Sequence, residues 1–406
     1  MYDVLIGASF TAPAVNACLD DHALLQAMLD TEAALATACA MVGLIPERAA
    51  TTIGARCRAE FFDTTSIGQR TALHATPVVP LVADLRAALP EEMRGYVHLG
   101  ATSQDILDTA TCLIARDALQ VILSYFDAVA EALAFLAERH AADVQIGRTL
   151  LQHAEPTTFG LVCAGWLTGV DDARARLARV VSERLAAQVG GPVGNRAAYG
   201  PHGPVVACHV AQLLDLADPV LPWHSDRQRT GELAAAVALA AGALATIGRN
   251  VVLLAQTELA EVAEGSAGGS SSMPHKRNPA RGVQVVAGAR QIAPLAAGVL
   301  AGMDGEAQRA AGTWQAELPA LRRMLSLLGG AALHTRELVT GLRVDAARMR
   351  ATVEARPPEQ RESSPTDEAT VAAARTLIDR ALAAHRHVVR TLAADDGKDD
   401  GAGENG

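Results

Sequence analysis

Two proline-free stretches decide most of what this chain can become. After Pro90 the next proline is Pro156, and between Pro222 and Pro274 there is none. Proline removes a backbone donor and clashes with the preceding turn, so only such stretches can carry long uninterrupted helices. Both are rich in alanine and leucine, the best helix formers, while aromatic residues make up 3% of the chain, too few for a sheet-based core. From about Arg227 to Glu264 the sequence is apolar nearly all round, the pattern of a helix in the middle of a bundle. Helical spacing also covers Asp20–Val42, Ala280–Met303, Leu321 to about Val353, and Ala369–Leu392. An all-α protein is expected.

The breaks between these helices hold the polar residues suited to chemistry. At Val97–Ala110 (VHLGATSQDILDTA), Gly100 interrupts the chain and Thr102 can cap a long helix with Asp105 three residues on. Thr102, Ser103 and Gln104 then lie at a helix N-terminus, where free N–H groups can hold a carboxylate. An ordinary cap would use the same residues. At Gly147–Gly160 (GRTLLQHAEPTTFG), Pro156 is expected in the first turn of the next helix. Arg148, Thr149, Gln152 and His153 are grouped there, and His153 reads equally as a proton carrier or a packed ring. Beyond Arg227, Glu258, Glu261 and Glu264 fall on one helical stripe, read as a solvated or salt-bridged face. The stretch Gly265–Pro279 (GSAGGSSSMPHKRNP) opens with three glycines and four serines, which cannot sustain a helix, so it is expected to be a mobile loop. Its ordered tail, with Met273, two cations and two prolines, is not what a spacer needs.

The formal net charge of -10 disfavours a general nucleic-acid or acidic-membrane surface, so an anionic ligand must meet a local cationic cluster. The six cysteines have no metal-site spacing and suit a reducing cytoplasm. The N-terminus lacks the pattern of a signal peptide. Leu233–Ile247, the most lipid-like run, is shorter than the roughly 18 residues of a membrane span. No metal, cofactor, nucleic acid or membrane partner is expected. After about Val353 the composition turns polar (EARPPEQRESSPTDE), one helical segment follows, and the acidic, glycine-rich residues 393–406 are expected to be disordered.

GSSSMPHKRNP at Gly269–Pro279 matches the pattern GSSxMPxKxNP and so resembles the fumarase/aspartase superfamily. HLGATSQDILDT and GRTLLQHAEPTTFG, in the same order, are similar to its other shared segments, so the resemblance covers roughly Met1–Met349. It implies a three-domain, all-helical homotetramer: residues 1–97, a central long-helix bundle over 98–345 carrying the site segments, and a C-terminal part reduced here to 346–392. It further implies that three segments from three different subunits meet at each site, and that a small polycarboxylate is the substrate. Residue by residue, Ser270 would be the base, acting as an alkoxide, with Lys276 and Asn278 binding the substrate carboxylate beside it. Thr102 and Ser103 would hold a second carboxylate and Arg309 a third. His98, Gln104, Arg148, Thr149, Gln152, Ser271, Met273 and Trp314 would line the pocket, with His153 as a further catalytic candidate.

One departure narrows the chemistry. Many members have a histidine directly after GRT as general acid, held by a glutamate five residues beyond the signature asparagine; here these positions are Leu150 and Val283. An acid is needed only when the leaving group is too basic to depart alone. A carboxylate, with a pKa of about 4, departs without help. The chain thus resembles the cycloisomerase branch, in which a carboxymuconate's own carboxylate adds to its double bond to give a lactone. HLGATSQD, GRTLLQHA, PWH before Arg227, the run Gln256–Glu264 and GTWQAE point the same way. Two alternatives stand beside it. One is a nitrosuccinate lyase-like or other C–N or C–O lyase whose leaving group is also a weak base. The other is a non-catalytic binding or structural protein on the same fold, against which intact Ser270, Lys276 and Asn278 weigh.

Overall fold

The computed structural model describes residues 5–266 and 268–399. The first helices are α1 (Pro13–Leu19), α2 (Asp21–Met41), α3 (Glu47–Gly54), α4 (Thr64–His74) and α5 (Val78–Ala87). Two starts follow from short polar side chains: Asp20 accepts the Ala23 N–H at 2.8 Å ahead of α2, and Asp63 does the same for Thr65 and Ser66 ahead of α4. The longest helix, α6 (Ser103–Arg139), begins where the sequence places it, with the Asp105 carboxylate accepting the Thr102 N–H at 3.0 Å. The remaining long elements are α7 (Phe159–Arg179), α8 (Gly203–Leu213), α9 (Gln228–Leu254), α10 (Ala280–Ala301) and α11 (Thr313–Thr340). Short α12 (Ala346–Glu354) and α13 (Pro358–Glu362) then lead to α14 (Asp367–Asp399).

Helices α6, α7, α9, α10 and α11 pack together as the central bundle, with α14 laid along α7. The all-α expectation holds. Small residues set the spacing of α9 and α10: a Cβ on Gly282 would lie 3.0 Å from the Gly248 carbonyl and 2.9 Å from Val252 Cγ2. Any larger residue there would push the two backbones apart. Most buried apolar side chains form one continuous cluster from Ala12 to Leu382, so α1–α5 share the bundle's core, while Val144, Ile146 and Val353 form a second, small one.

Several local expectations give way to tertiary structure. Pro156 does not open a helix; it lies in a hairpin of β1 (Val144–Thr149) and β2 (Gln152–Thr158), antiparallel with Pro156 opposite Ile146. Thr158 caps α7 instead, accepting the Leu161 N–H at 3.2 Å. Helix α9 ends at Leu254, ten residues before Glu264, so the three glutamates share no helical stripe. A second small sheet pairs β3 (Val262–Ala263) with β4 (Arg343–Val344), and β4 breaks the helix expected across Leu321–Val353. Helix α14 continues to Asp399, so residues 393–399 are helical; 400–406 lie outside the described residues. Finally, α6, α9 and α10 are each long and apolar enough to cross a membrane by length and composition, where the sequence reading found no such run. Only 39%, 44% and 33% of their most apolar windows are buried within the chain, leaving apolar helix faces open.

Candidate active site

The start of α6 gathers four of the sequence-selected residues in a single chain. Arg309 Nη1 donates to Thr102 Oγ1 at 2.5 Å and Nε donates to Gln104 Oε1 at 3.3 Å, while the guanidinium lies over the Trp314 ring at 5.9 Å. Gln104 is fully buried, and its amide donates to the His224 carbonyl at 2.9 Å. Ser103 lies beside them at the first turn, half-buried. An arginine and a threonine hydroxyl beside a helix N-terminus have the chemistry to hold a carboxylate.

Beneath it lies a buried polar frame only partly legible in the sequence. Asp105 accepts from Gly190 N (2.9 Å), Gly191 N (2.8 Å) and Thr102 N (3.0 Å), and pairs with His224 Nε2 at 2.7 Å. One carboxylate thus fixes the helix start, the glycine turn and the PWH segment. One turn on, Arg227 bridges Asp108 (2.8 and 2.9 Å) and Glu317 (2.6 and 3.1 Å), all three buried, with its guanidinium 4.8 Å from the Trp223 ring centroid. One guanidinium serves two carboxylates, and burial, outweighing Arg227, pushes Glu317 above its ordinary range. The signal that could have revealed this frame is Asp105 and Asp108 on a helix face otherwise filled with Ile, Leu and Ala. Arg227→Ala would strand two buried carboxylates and is expected to cost about 3–5 kcal/mol. Denaturant unfolding should show that deficit shrinking as pH falls and Glu317 takes up a proton; an unchanged midpoint would refute it.

The hairpin tip carries the second group. Leu150 and Leu151 form its two-residue turn with φ of 51° and 63°, left-handed values unusual for leucine, and they are 96% and 70% exposed. Thr149, Gln152 and His153 flank them, all exposed, with Thr149 opposite Gln152 and Arg148 opposite His153. Arg148 does not face outward with them. Its guanidinium makes a two-pronged pair with fully buried Glu261, at 2.9 and 2.7 Å, and so anchors the hairpin's base. The stripe reading of the glutamates fails here: Glu261 holds Arg148, and buried Glu264 accepts the Arg281 and Gly282 N–H groups at 3.2 and 2.9 Å at the start of α10. Only Glu258 is exposed.

The signature loop is pinched at its base by paired bonds between Gly268 and Asn278, N–H to carbonyl at 2.9 Å each way. The Asn278 amide donates to the Gly269 carbonyl at 2.9 Å. Within this frame the Ser270 Oγ accepts from Met273 N at 3.1 Å and Ser272 N at 3.4 Å, a setting that favours negative charge on that oxygen. Ser271, Met273 and Lys276 are exposed, and the Lys276 ammonium has no ion-pair partner among the described residues. Val283, one turn into α10, is 53% exposed.

The bundle's length separates these groups within one chain. Arg227, just before α9, is bonded to Asp108 near the start of α6, so the two helices begin side by side. With 37 and 27 residues, they extend about 55 and 40 Å at 1.5 Å per residue. The hairpin follows the far end of α6, the Ser270 loop follows the far end of α9, and Arg148–Glu261 ties those two ends together. Thr102, Gln104, Arg309 and Trp314 therefore lie at one end of the bundle, and Ser270, Lys276 and His153 at the other. Among the described residues, no group of three or more His, Cys, Asp or Glu side chains is placed to hold a metal ion.

A family profile described as Lyase matches residues 8–293. The chain is 41% identical over 357 residues to 3-carboxy-cis,cis-muconate cycloisomerase of Pseudomonas putida, covering 86% of this chain and 84% of that one. It is 42% identical over 354 residues to nitrosuccinate lyase of Streptomyces davaonensis, covering 84% and 74%. The crystal structure of 3-carboxy-cis,cis-muconate lactonizing enzyme from Pseudomonas putida superposes with a TM-score of 0.86 at 34% identity, over 95% of this chain and 99% of that one. With its helical bundle, its three signature segments in order and this likeness over most of its length, the chain belongs to the lyase family of the fumarase/aspartase superfamily.

Proposed function

We propose that this chain interconverts 3-carboxy-cis,cis-muconate and 4-carboxymuconolactone. In the forward direction a substrate carboxylate oxygen bonds to the alkene carbon, and the Ser270 hydroxyl delivers its proton to the adjacent carbon. In reverse the Ser270 alkoxide removes that proton and the carboxylate departs as an anion, so no co-reactant is needed. The two backbone N–H groups on Ser270 Oγ support the alkoxide. Lys276 neutralises the charge that builds on the neighbouring substrate carboxylate. Asn278, whose amide shapes the loop, presents its remaining polar capacity to that carboxylate. Thr102 and Ser103 take a second carboxylate and Arg309 a third, with Gln104 and Trp314 setting the guanidinium plane. His98, Thr149, Gln152, Ser271 and Met273 line the rest, His153 orients a carboxylate from the hairpin, and Arg148 acts by holding that hairpin in place.

The observation that carries this reading is the contrast between two halves of one mechanism. The carbon-acid half at Ser270 is intact, whereas the leaving-group half is replaced by exposed, apolar Leu150 and Val283. A carboxylate leaving group needs no proton, and nitrite is the other that fits. The likeness to nitrosuccinate lyase makes that the second reading.

We infer further that the chain is a homotetramer whose sites combine segments from three subunits. In support, the segment at the start of α6 stands at the opposite end of the bundle from the hairpin and the Ser270 loop in one chain, and α6, α9 and α10 leave apolar faces open that a second copy would cover. The six cysteines are all free, with burial pushing Cys39 up to about 11, in keeping with a reducing cytoplasm.

Incubation with 3-carboxy-cis,cis-muconate should remove its diene absorbance. Inertness toward it, together with nitrite release from nitrosuccinate, would shift the assignment to the second reading. Inertness toward both, with no tricarboxylate bound, would favour the non-catalytic reading, a binding or structural protein on the same fold.

A further inference from the structure

The side chain of Glu32 lies in α2, 66 residues before its partner and 1% exposed, far from every signature segment in sequence. Its Oε1 meets His98 Nδ1 at 2.6 Å, and its Oε2 is buried with no hydrogen-bond partner. A carboxylate sealed in a core with one oxygen unpartnered is costly unless its charge is matched. The match available is an imidazolium at His98. That residue is held in an unusual backbone: φ is 61°, left-handed, and its carbonyl accepts the Ala101 N–H at 3.4 Å in a turn closed by Gly100 at φ 69°. Such strain persists only where surrounding structure over-determines it. Nε2, the outer ring nitrogen, has no partner among the described residues, and the side chain keeps 16% of its surface exposed.

We infer that Glu32 is a positioning residue for the site at the start of α6, holding the His98 ring as a cation with Nδ1–H turned inward and Nε2–H offered to a substrate carboxylate. This deepens the functional reading above and rests on it. It assigns to a residue outside all three shared segments the task of favouring a positive charge four residues before Thr102. The charged groups facing the ring are Glu32 from α2, Asp105 from α6 and Arg86 from α5. Burial lowers the ring's affinity for a proton and Arg86 adds to this, but Glu32, by charge and hydrogen bond, together with Asp105, overcomes both and leaves the His98 pKa above its ordinary value. The sign follows: the cation, and the carboxylate affinity it confers, are present below that raised pKa and lost as pH rises through it. With glutamine at 32, burial and Arg86 act with less opposition, and the same loss moves to lower pH.

The test compares wild type with Glu32→Gln in the assembled protein. The alkaline limb of kcat/KM for 3-carboxy-cis,cis-muconate should move down by a pH unit or more, giving roughly tenfold weaker kcat/KM near neutrality. KM should rise more than kcat falls, and Glu32→Asp, which keeps the charge, should recover part of the loss. Histidine-selective NMR, with His98 assigned by its absence in His98→Gln, should show its titration moving down by the same interval. Superimposable pH profiles, or an unmoved His98 titration, would overturn the inference and leave Glu32 a structural ion pair. If carboxymuconate is not turned over, the functional reading fails by itself, and calorimetric binding of citrate as a tricarboxylate probe decides the inference. Affinity weakened in Glu32→Gln supports it, and equal affinity overturns it. Should Glu32→Gln not assemble, wild type alone decides: citrate must raise the His98 titration, and an unmoved signal overturns the inference.

Discussion

Ser270→Ala is expected to lower kcat by about a thousandfold, within the range that removal of a positioned proton-transfer group costs. The hydroxyl oxygen sits in a turn whose Met273 and Ser272 N–H groups point at it. Alanine fits the same backbone, and the loop base is fixed independently by the Gly268–Asn278 pairing. The chain should therefore assemble as wild type does, judged by light scattering, while losing turnover. Because the proton moves only in the transition state, kcat and kcat/KM should fall together with little change in KM. Activity within tenfold of wild type would remove Ser270 as the proton carrier.

Mixing two dead variants should restore life. If the Ser270 loop and the Arg309 cluster of one site come from different subunits, Ser270→Ala and Arg309→Ala chains, co-expressed, form some sites with both groups intact. Random assembly at equal amounts predicts activity rising from near zero to roughly a quarter of wild type, since each intact site needs two independent choices. The structural basis is the bundle's length: the Ser270 loop precedes α10 and the Arg309 segment follows it in one chain, at opposite ends of a 22-residue helix about 33 Å long. A mixture as inactive as its parents, with mixed assembly verified by mass, would place both groups in one subunit or none.

How much of this was readable in advance depended on the range of the interaction. The start of α6 was legible because Thr102 and Asp105 lie within one turn and carry the cap themselves. The end of α9 was not. Apolar spacing continues past Leu254, but the chain turns there so that Glu261 can meet Arg148, 113 residues away in sequence. Pro156 misled for a similar reason: proline suits a first helical turn and a hairpin strand alike, and pairing with β1 decided between them. The substrate-facing role assigned to Arg148 likewise had no local contradiction; only its buried carboxylate partner revealed that the guanidinium is committed.

By itself the sequence determined where most of the long helices run and which loops interrupt them, because caps, prolines, glycines and helical spacing act over a few residues. Tertiary structure alone decided which end of the bundle each loop occupies, which charges are buried together, and that Glu32 stands behind His98. Those outcomes depend on how helices tens of ångströms long pack beside one another, and a side chain's partner across that distance is set by packing rather than by its neighbours in the chain.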